Sequence, residues 1–192
     1  MDNKTQGRAL GLVHVYTGGG KGKTTAALGL AIRALGCGFR VLCVQFFKGA
    51  RTKSGEANAL EKFEKMTLIR HKEAHPFFWS SEIRRDKARM ARKLQKLRSS
   101  LSGAIEDTAR LIKSRSYDLV ILDEIINAAS SNLIDEKIIL DLIIEKPKDV
   151  ELVLTGRGAS QKLIELADYV TIMQEVKHPF TRGIKARRGI EK

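Results

Sequence analysis

The chain has 192 residues, 43% hydrophobic and 30% charged, the balance of a soluble globular protein and not of a disordered tail. Its net charge of +13 favours an anionic partner: nucleotide, nucleic acid, acidic membrane or phosphorylated substrate. No apolar run reaches the roughly 18–20 residues that cross a bilayer, the first ten residues lack the apolar stretch of a secretory signal, and Cys37 and Cys43 make neither a disulfide framework nor a zinc pattern. A cytoplasmic protein without a membrane segment is expected.

In chain order, short β-rich runs alternate with helical stretches, the pattern of a parallel α/β sheet. Residues 1–10 are expected to form a flexible arm. Residues 12–17 (LVHVYT) predict a first strand that runs into a glycine cluster. A helix is expected over 23–35, stopped by Gly36 and Gly38. Residues 40–46 predict a second strand, 48–55 a polar loop, 57–64 a short helix and 66–70 a third strand.

The loop 71–81 holds Pro76-Phe77-Phe78-Trp79, with the single tryptophan of the chain. One long helix is expected over 80–114, because Ile83, Met90, Leu94, Leu97, Leu101, Ala104 and Leu111 keep a three-four spacing. Within it, 84–98 carries eight basic residues against Asp86 alone. Strands follow at 118–122, 151–155 and 169–173, helices at 134–144 and 160–167, and an irregular tail from 174. The expected fold is α/β: a single P-loop NTPase-like, three-layer domain with a mostly parallel central sheet flanked by helices.

Thr17-Gly18-Gly19-Gly20-Lys21-Gly22-Lys23-Thr24-Thr25 lies between the first strand and the first helix, the context a phosphate-binding loop requires. Glycines let backbone N–H groups turn toward phosphate oxygens, and the helix N-terminus adds favourable partial charge. Lys23 is expected to reach the phosphates and the Thr24 hydroxyl to ligate Mg²⁺. The loop departs from the common GxxxxGK[ST] spacing, since Thr17 stands where that pattern has glycine. Residues 118–124 (DLVILDE) form an apolar strand ending in Asp123 and Glu124. Such strand ends face the ligand crevice of an open α/β sheet, where a carboxylate would hold Mg²⁺ directly or through water. No guanine-reading NKxD tetrapeptide is present, so ATP is expected ahead of GTP.

Further segments carry a resemblance. The loop with Ala26-Ala27-Leu28-Gly29, the run Val44-Gln45-Phe46-Phe47-Lys48-Gly49, the Asp118-to-Glu124 strand, Leu154-Thr155-Gly156-Arg157-Gly158, and the tail from Val176-Lys177-His178-Pro179-Phe180 through Gly183, Lys185-Ala186 and Gly189-Ile190-Glu191 resemble the signature blocks of the ATP:corrinoid adenosyltransferases. They run in family order from about residue 11 to 191. Gly19 stands where many members have Asn, and the long helix and first ten residues match less clearly.

The resemblance implies that the transferred group is 5′-deoxyadenosyl: Co(I) of a reduced corrinoid attacks C5′ of ATP, and tripolyphosphate leaves. It implies catalytic roles for Lys23, Thr24 and Glu124, ATP contacts from Gly18 to Thr25 and from Arg157, and Mg²⁺ on Thr24, Asp123 and Glu124. It also implies that Phe77 and Trp79 form the corrinoid's lower face, excluding an axial ligand so that Co(II) is easier to reduce. A homodimer, an electron-donating flavoprotein such as a flavodoxin, and a triphosphate lying in reversed sense along the loop complete these expectations.

Other residues are ranked lower. Lys48, Gln45 and Glu56 are weaker contact candidates, and His178 is a candidate contact to corrinoid or ATP. His14 reads as core, while His71 and His75 read equally as core or ligand. A competing reading, a nucleic-acid-binding P-loop ATPase, rests on the basic residues of 84–98. Against it stands the absence of a helicase motif set and of an aromatic-interleaved stacking surface. A kinase of a small substrate leaves the Thr155-to-Gly158 block and the tail unexplained.

Overall fold

The computed structural model of the protein describes residues 11–48 and 55–190. The expected arm at 1–10, most of the 48–55 loop, and Gly49 and Glu191 of the signature blocks lie outside the described residues. Six strands form one parallel sheet: β1 (Val13–Thr17), β2 (Val41–Gln45), β3 (Met66–Arg70), β4 (Leu119–Asp123), β5 (Glu151–Thr155) and β6 (Tyr169–Ile172). Their order is β3-β2-β4-β5-β1-β6. The strands β2 and β4 are buried at every residue, β3 is half-buried and β6 is exposed throughout. That gradient explains the continuous apolar runs, which mark strands covered on both faces.

Alternate residues of β2 enter different cores, as the two-residue period of a strand demands. Leu42 and Val44 join Leu97, Leu101, Ile105, Ile125 and Ile139 on one face. Val41 and Cys43 join Ala27, Leu28, Ala31 and Leu35 on the other. The second face is covered by α1 (Lys23–Gly36), and small alanines on its inner side bring it close to the sheet. The first face carries α4 (Lys87–Lys113), α5 (Ile125–Ser130) and α6 (Glu136–Glu145), reached after the short α2 (Gly55–Leu60) and α3 (Ser81–Arg85). A last short helix, α7 (Gln161–Leu166), precedes β6. The result is three layers.

The single helix expected over 80–114 is two. Helix α3 ends where Asp86 takes an extended conformation, φ −84° and ψ 100°, and the Asp86 carboxylate accepts from the Arg89 N–H at 2.9 Å. An aspartate in that position satisfies one of the orphan donors of the helix start. Apolar spacing continues across the break, so periodicity alone reads it as one helix. The fourth strand runs one residue further than expected and ends on Asp123 itself. Helix α5, six residues directly after that strand, was not expected. The tail is irregular apart from a 3-10 turn at Pro179–Arg182.

Candidate active site

The strand order decides what meets at the carboxyl edge of the sheet. Strand β5 lies between β1, which leads into the glycine loop, and β4, which ends in Asp123. Thr155, the last residue of β5, therefore stands beside both. Its hydroxyl donates to Asp123 Oδ1 at 2.7 Å and accepts from the Glu124 N–H at 2.9 Å. Thr24, in the first turn of α1, donates its hydroxyl proton to the same Asp123 oxygen at 2.8 Å. On Oδ2, Gln45 Nε2 donates at 3.3 Å, and Lys48 Nζ forms an ion pair at 3.3 Å. Asp123 is thus wholly buried yet engaged by four side chains, the condition under which a buried charge is tolerated.

Lys23 is buried at the centre of the loop and donates to the carbonyls of Gly18, at 2.8 Å, and Gly20, at 2.7 Å. Burial, and then the nearby Arg157 charge, lower its pKa, while Glu124 and Asp123 oppose the shift. The loop also leans on the end of β6: Gly20 N–H donates to the Met173 carbonyl at 2.7 Å. A side chain at position 20 would meet Met173 O and the Gln174 backbone at 2.8 Å, so only glycine fits there. Thr17, the departure from the common spacing, uses its hydroxyl to accept from the Ala159 N–H at 3.3 Å. That contact ties the loop to the segment after β5, which a glycine could not do.

Glu124 takes φ 68°, a left-handed backbone that costs a non-glycine residue about 1 kcal/mol. Burial and then the Asp123 charge raise its pKa, opposed by Lys48, Lys23 and Arg157. Gly156 follows β5 at φ 144°; a Cβ there would meet Asn127 at 2.7–2.8 Å. Asn127 in turn accepts the Arg157 N–H on its side-chain oxygen. This turn brings Arg157 to the same opening as Lys23 and Glu124.

That opening is a cleft of about 1120 Å³ lined by Gly19 to Thr25 along the loop, and by Lys48, Glu56, Glu124 and Arg157. Apolar residues line it too, Leu28 and Ile32 from α1 and Phe180, Ile184 and Ile190 from the tail. Lys177, His178 and Lys185 supply polar groups from the same tail. Lys21 joins the loop to the tail, its Nζ donating to the Ile190 carbonyl at 3.4 Å.

The aromatic candidates lie elsewhere. None of residues 71–98 lines the cleft. Phe77 and Phe78 are 72% and 74% exposed, whereas Trp79 is 5% exposed, packed in the core beneath the Lys93 ammonium, which lies 4.6 Å from its ring centroid. His14 is half-buried, its Nε2 2.7 Å from Glu151 Oε1 and its ring stacked on Tyr169, which makes it structural. His71 stacks on Phe46, with centroids 5.2 Å apart, and burial lowers its pKa. Arg84, Arg85, Lys87, Arg89, Arg92 and Lys96 are exposed on the segment that α3 and α4 form.

Thr155 and Asn127 had no assigned role in the sequence reading, although both shape the site. For Thr155 the signal was available, since a polar residue ending a buried parallel strand points at the crevice. Asn127 sits in a short helix without a spacing signal.

Comparison with known proteins now adds to this geometry. The family model described as ATP:corrinoid adenosyltransferase BtuR/CobO/CobP matches residues 9–191. The chain is 38% identical to a corrinoid adenosyltransferase of Sinorhizobium sp, over 94% of this chain and 80% of that protein. It is 34% identical to the corrinoid adenosyltransferase of Escherichia coli (strain K12), over 94% and 85%. A corrinoid adenosyltransferase of Pseudomonas aeruginosa is 35% identical, over 94% and 83%.

Proposed function

The chain belongs to the ATP:corrinoid adenosyltransferase family, and we propose that it transfers the 5′-deoxyadenosyl group of ATP to the Co(I) of a reduced corrinoid, releasing tripolyphosphate. The observation that carries this reading is the cleft itself. Over about 1120 Å³ its lining combines the phosphate loop, Lys23, Glu124 and Arg157 with apolar residues of α1 and of the tail. The charged part of the lining suits the triphosphate of ATP and the apolar part its adenosine.

In the reaction the two electrons of Co(I) form the Co–C5′ bond while C5′–O5′ breaks. The bonding pair leaves with tripolyphosphate. No protein nucleophile or general base is required, because the corrinoid carries the electrons. Negative charge gathers on the leaving group, so the chain acts by meeting that charge: Lys23 at the loop centre, the loop N–H groups and Arg157. Lys23 is pre-aimed by its bonds to the Gly18 and Gly20 carbonyls, so little reorganisation accompanies the step.

The donor set also fits Mg²⁺. Thr24 gives its proton to Asp123, which leaves the hydroxyl oxygen able to act as a ligand. Asp123 is engaged on both oxygens, so it orients Thr24, while Glu124 lines the cleft and is the carboxylate available to the ion. When bound, Mg²⁺ neutralises triphosphate charge as a Lewis acid.

Phe77 would then present an apolar face to the corrinoid, and the buried Trp79 would support it from below. An electron-donating flavoprotein such as a flavodoxin would supply Co(I). A second copy of the chain would cover exposed Tyr169, Val170 and Ile172 of β6, the strand that ends the sheet among the described residues. The cytoplasm, with its ATP and reductants, is the proposed compartment. The family match gives the nucleic-acid reading no support.

The test supplies ATP, Mg²⁺ and chemically reduced corrinoid. The expected result is a light-sensitive Co–C absorbance with one tripolyphosphate per turnover. Release of ADP or free phosphate instead would sink the proposal. Lys23→Ala is expected to slow turnover by about 10²–10³-fold with the fold retained by circular dichroism.

A further inference from the structure

Phe77 and Phe78 stand out from the surface on a 3-10 turn, Pro76–Phe78, their rings edge to face with centroids 5.3 Å apart. Packing in the core does not hold them. Two backbone bonds close the turn, Phe78 N–H to the His75 carbonyl at 2.9 Å and Trp79 N–H to the Pro76 carbonyl at 3.1 Å, and two flanking side chains anchor it. On one side Trp79 enters the core, and its Nε1–H donates to the Ala74 carbonyl at 3.1 Å. On the other, His75 caps the turn: its Nδ1 accepts from the Phe77 N–H at 3.2 Å. His75 Nε2 lies 3.1 Å from Ser131 Oγ, and its ring meets that of Phe47 edge-on with centroids 5.0 Å apart. One imidazole thus joins the turn to the segment after β2 and to the end of α5.

The contacts settle the ring's protonation. A nitrogen that accepts from an amide N–H carries no proton, so the proton sits on Nε2 and goes to Ser131. A second proton would set N–H against N–H at Nδ1 and break the cap. Burial works in the same direction, holding the His75 pKa below 6.5. The elements packed on it present Phe47 and Ser131, both neutral. No charged group contributes to that shift, whose cause is burial alone; the charged groups that contacts place around the turn are Lys93, 4.6 Å from the Trp79 ring centroid, and Arg98, which donates to the Asn132 carbonyl next to Ser131 at 3.0 Å.

We propose that His75 is a positioning residue for the exposed Phe77–Phe78 turn, which it holds only as the neutral, Nε2-protonated imidazole. Its part in the reaction rests on the reading that this turn forms the corrinoid's apolar wall. Above the ordinary histidine value of 6.5 the cap is complete. As pH falls below it and through the lowered folded value, the capped population declines.

The experiment measures NMR amide-exchange protection at Phe77 in the full chain from about pH 5 to 8, together with emission of the single Trp79. In the unsubstituted chain, Phe77 protection is expected to fall by up to about tenfold per pH unit once the ring protonates. His75→Ala should lower it about fivefold at pH 8. His75→Asn, whose side-chain oxygen caps without titrating, should restore protection and flatten the pH dependence. Unchanged protection of amides 152–154 in β5 reports that each variant is folded. A pH-independent Phe77 in the unsubstituted chain, or full protection in His75→Ala, overturns the proposal. Binding of a Co(II) corrinoid to the same proteins, followed by absorbance, is expected to track Phe77 protection. Protection that follows His75 while corrinoid affinity does not would remove His75 from the reaction and the turn from the corrinoid wall, leaving the cap itself standing.

Discussion

Asp123 is wholly buried and engaged by Thr24, Thr155, Gln45 and Lys48 from three segments, whereas Phe77 is 72% exposed on a turn anchored by one histidine and one tryptophan side chain. In the proposed reaction the difference matches what each region would handle. A buried carboxylate must have its hydrogen bonds satisfied, and four partners from three segments hold it in one arrangement. That rigidity suits a site where charge develops on a leaving triphosphate. An apolar wall needs no such network. In the proposed reaction the turn would present carbon to a bulky planar ligand. One region is held by a buried polar network and the other by the side chains that flank it.

Three substitutions sharpen or break this contrast, beginning with the largest effect. Trp79→Ala removes the buried anchor of the exposed turn and should cost about 3–5 kcal/mol, read as a lower urea midpoint. A cost below 1 kcal/mol would mean that the turn does not depend on the core at all. Thr155→Val deletes a donor to Asp123 and the acceptor of the Glu124 N–H. It should cost about 1–3 kcal/mol and also weaken binding of Mg²⁺–ATP, measured by calorimetry. Loss of stability with unchanged nucleotide affinity would show that the network does not position the site. Phe77→Ala, at an exposed position, should leave stability within about 0.5 kcal/mol. Turnover from Co(II) with a reductant should nevertheless fall further than turnover from pre-reduced Co(I). Equal loss in the two assays would detach Phe77 from cobalt reduction.

The two regions also differ in how far the sequence exposed them. The loop from Thr17 to Thr25 is contiguous, and its glycines, lysine and threonine lie between a strand and a helix, so local pattern was enough. Asp123 and Glu124 were legible for the same reason, at the end of an apolar run. The partners of Asp123 were not. Gln45, Lys48 and Thr155 come from strand ends 78 and 32 residues away for the hydrogen-bonded pair Gln45 and Thr155, and only the order of β2, β4 and β5 brings them together. The aromatic motif shows the same limit on a smaller scale. Phe77 and Trp79 are two residues apart and read alike, yet the 3-10 turn sends one to solvent and the other into the core.

Sequence by itself determined the parallel α/β architecture, the phosphate loop, the carboxylate strand and, through its blocks in order, the family. Each is written in contiguous residues, where backbone preferences and apolar spacing act over short range. Tertiary structure alone decided the break at Asp86, which apolar periodicity passes over because its cause is a single capping carboxylate. It alone decided the hub around Asp123, the role of the Thr17 hydroxyl and the separation of Phe77 from Trp79. These depend on which strand ends are neighbours and which groups can be satisfied once buried, and neither is settled until the sheet has closed its order.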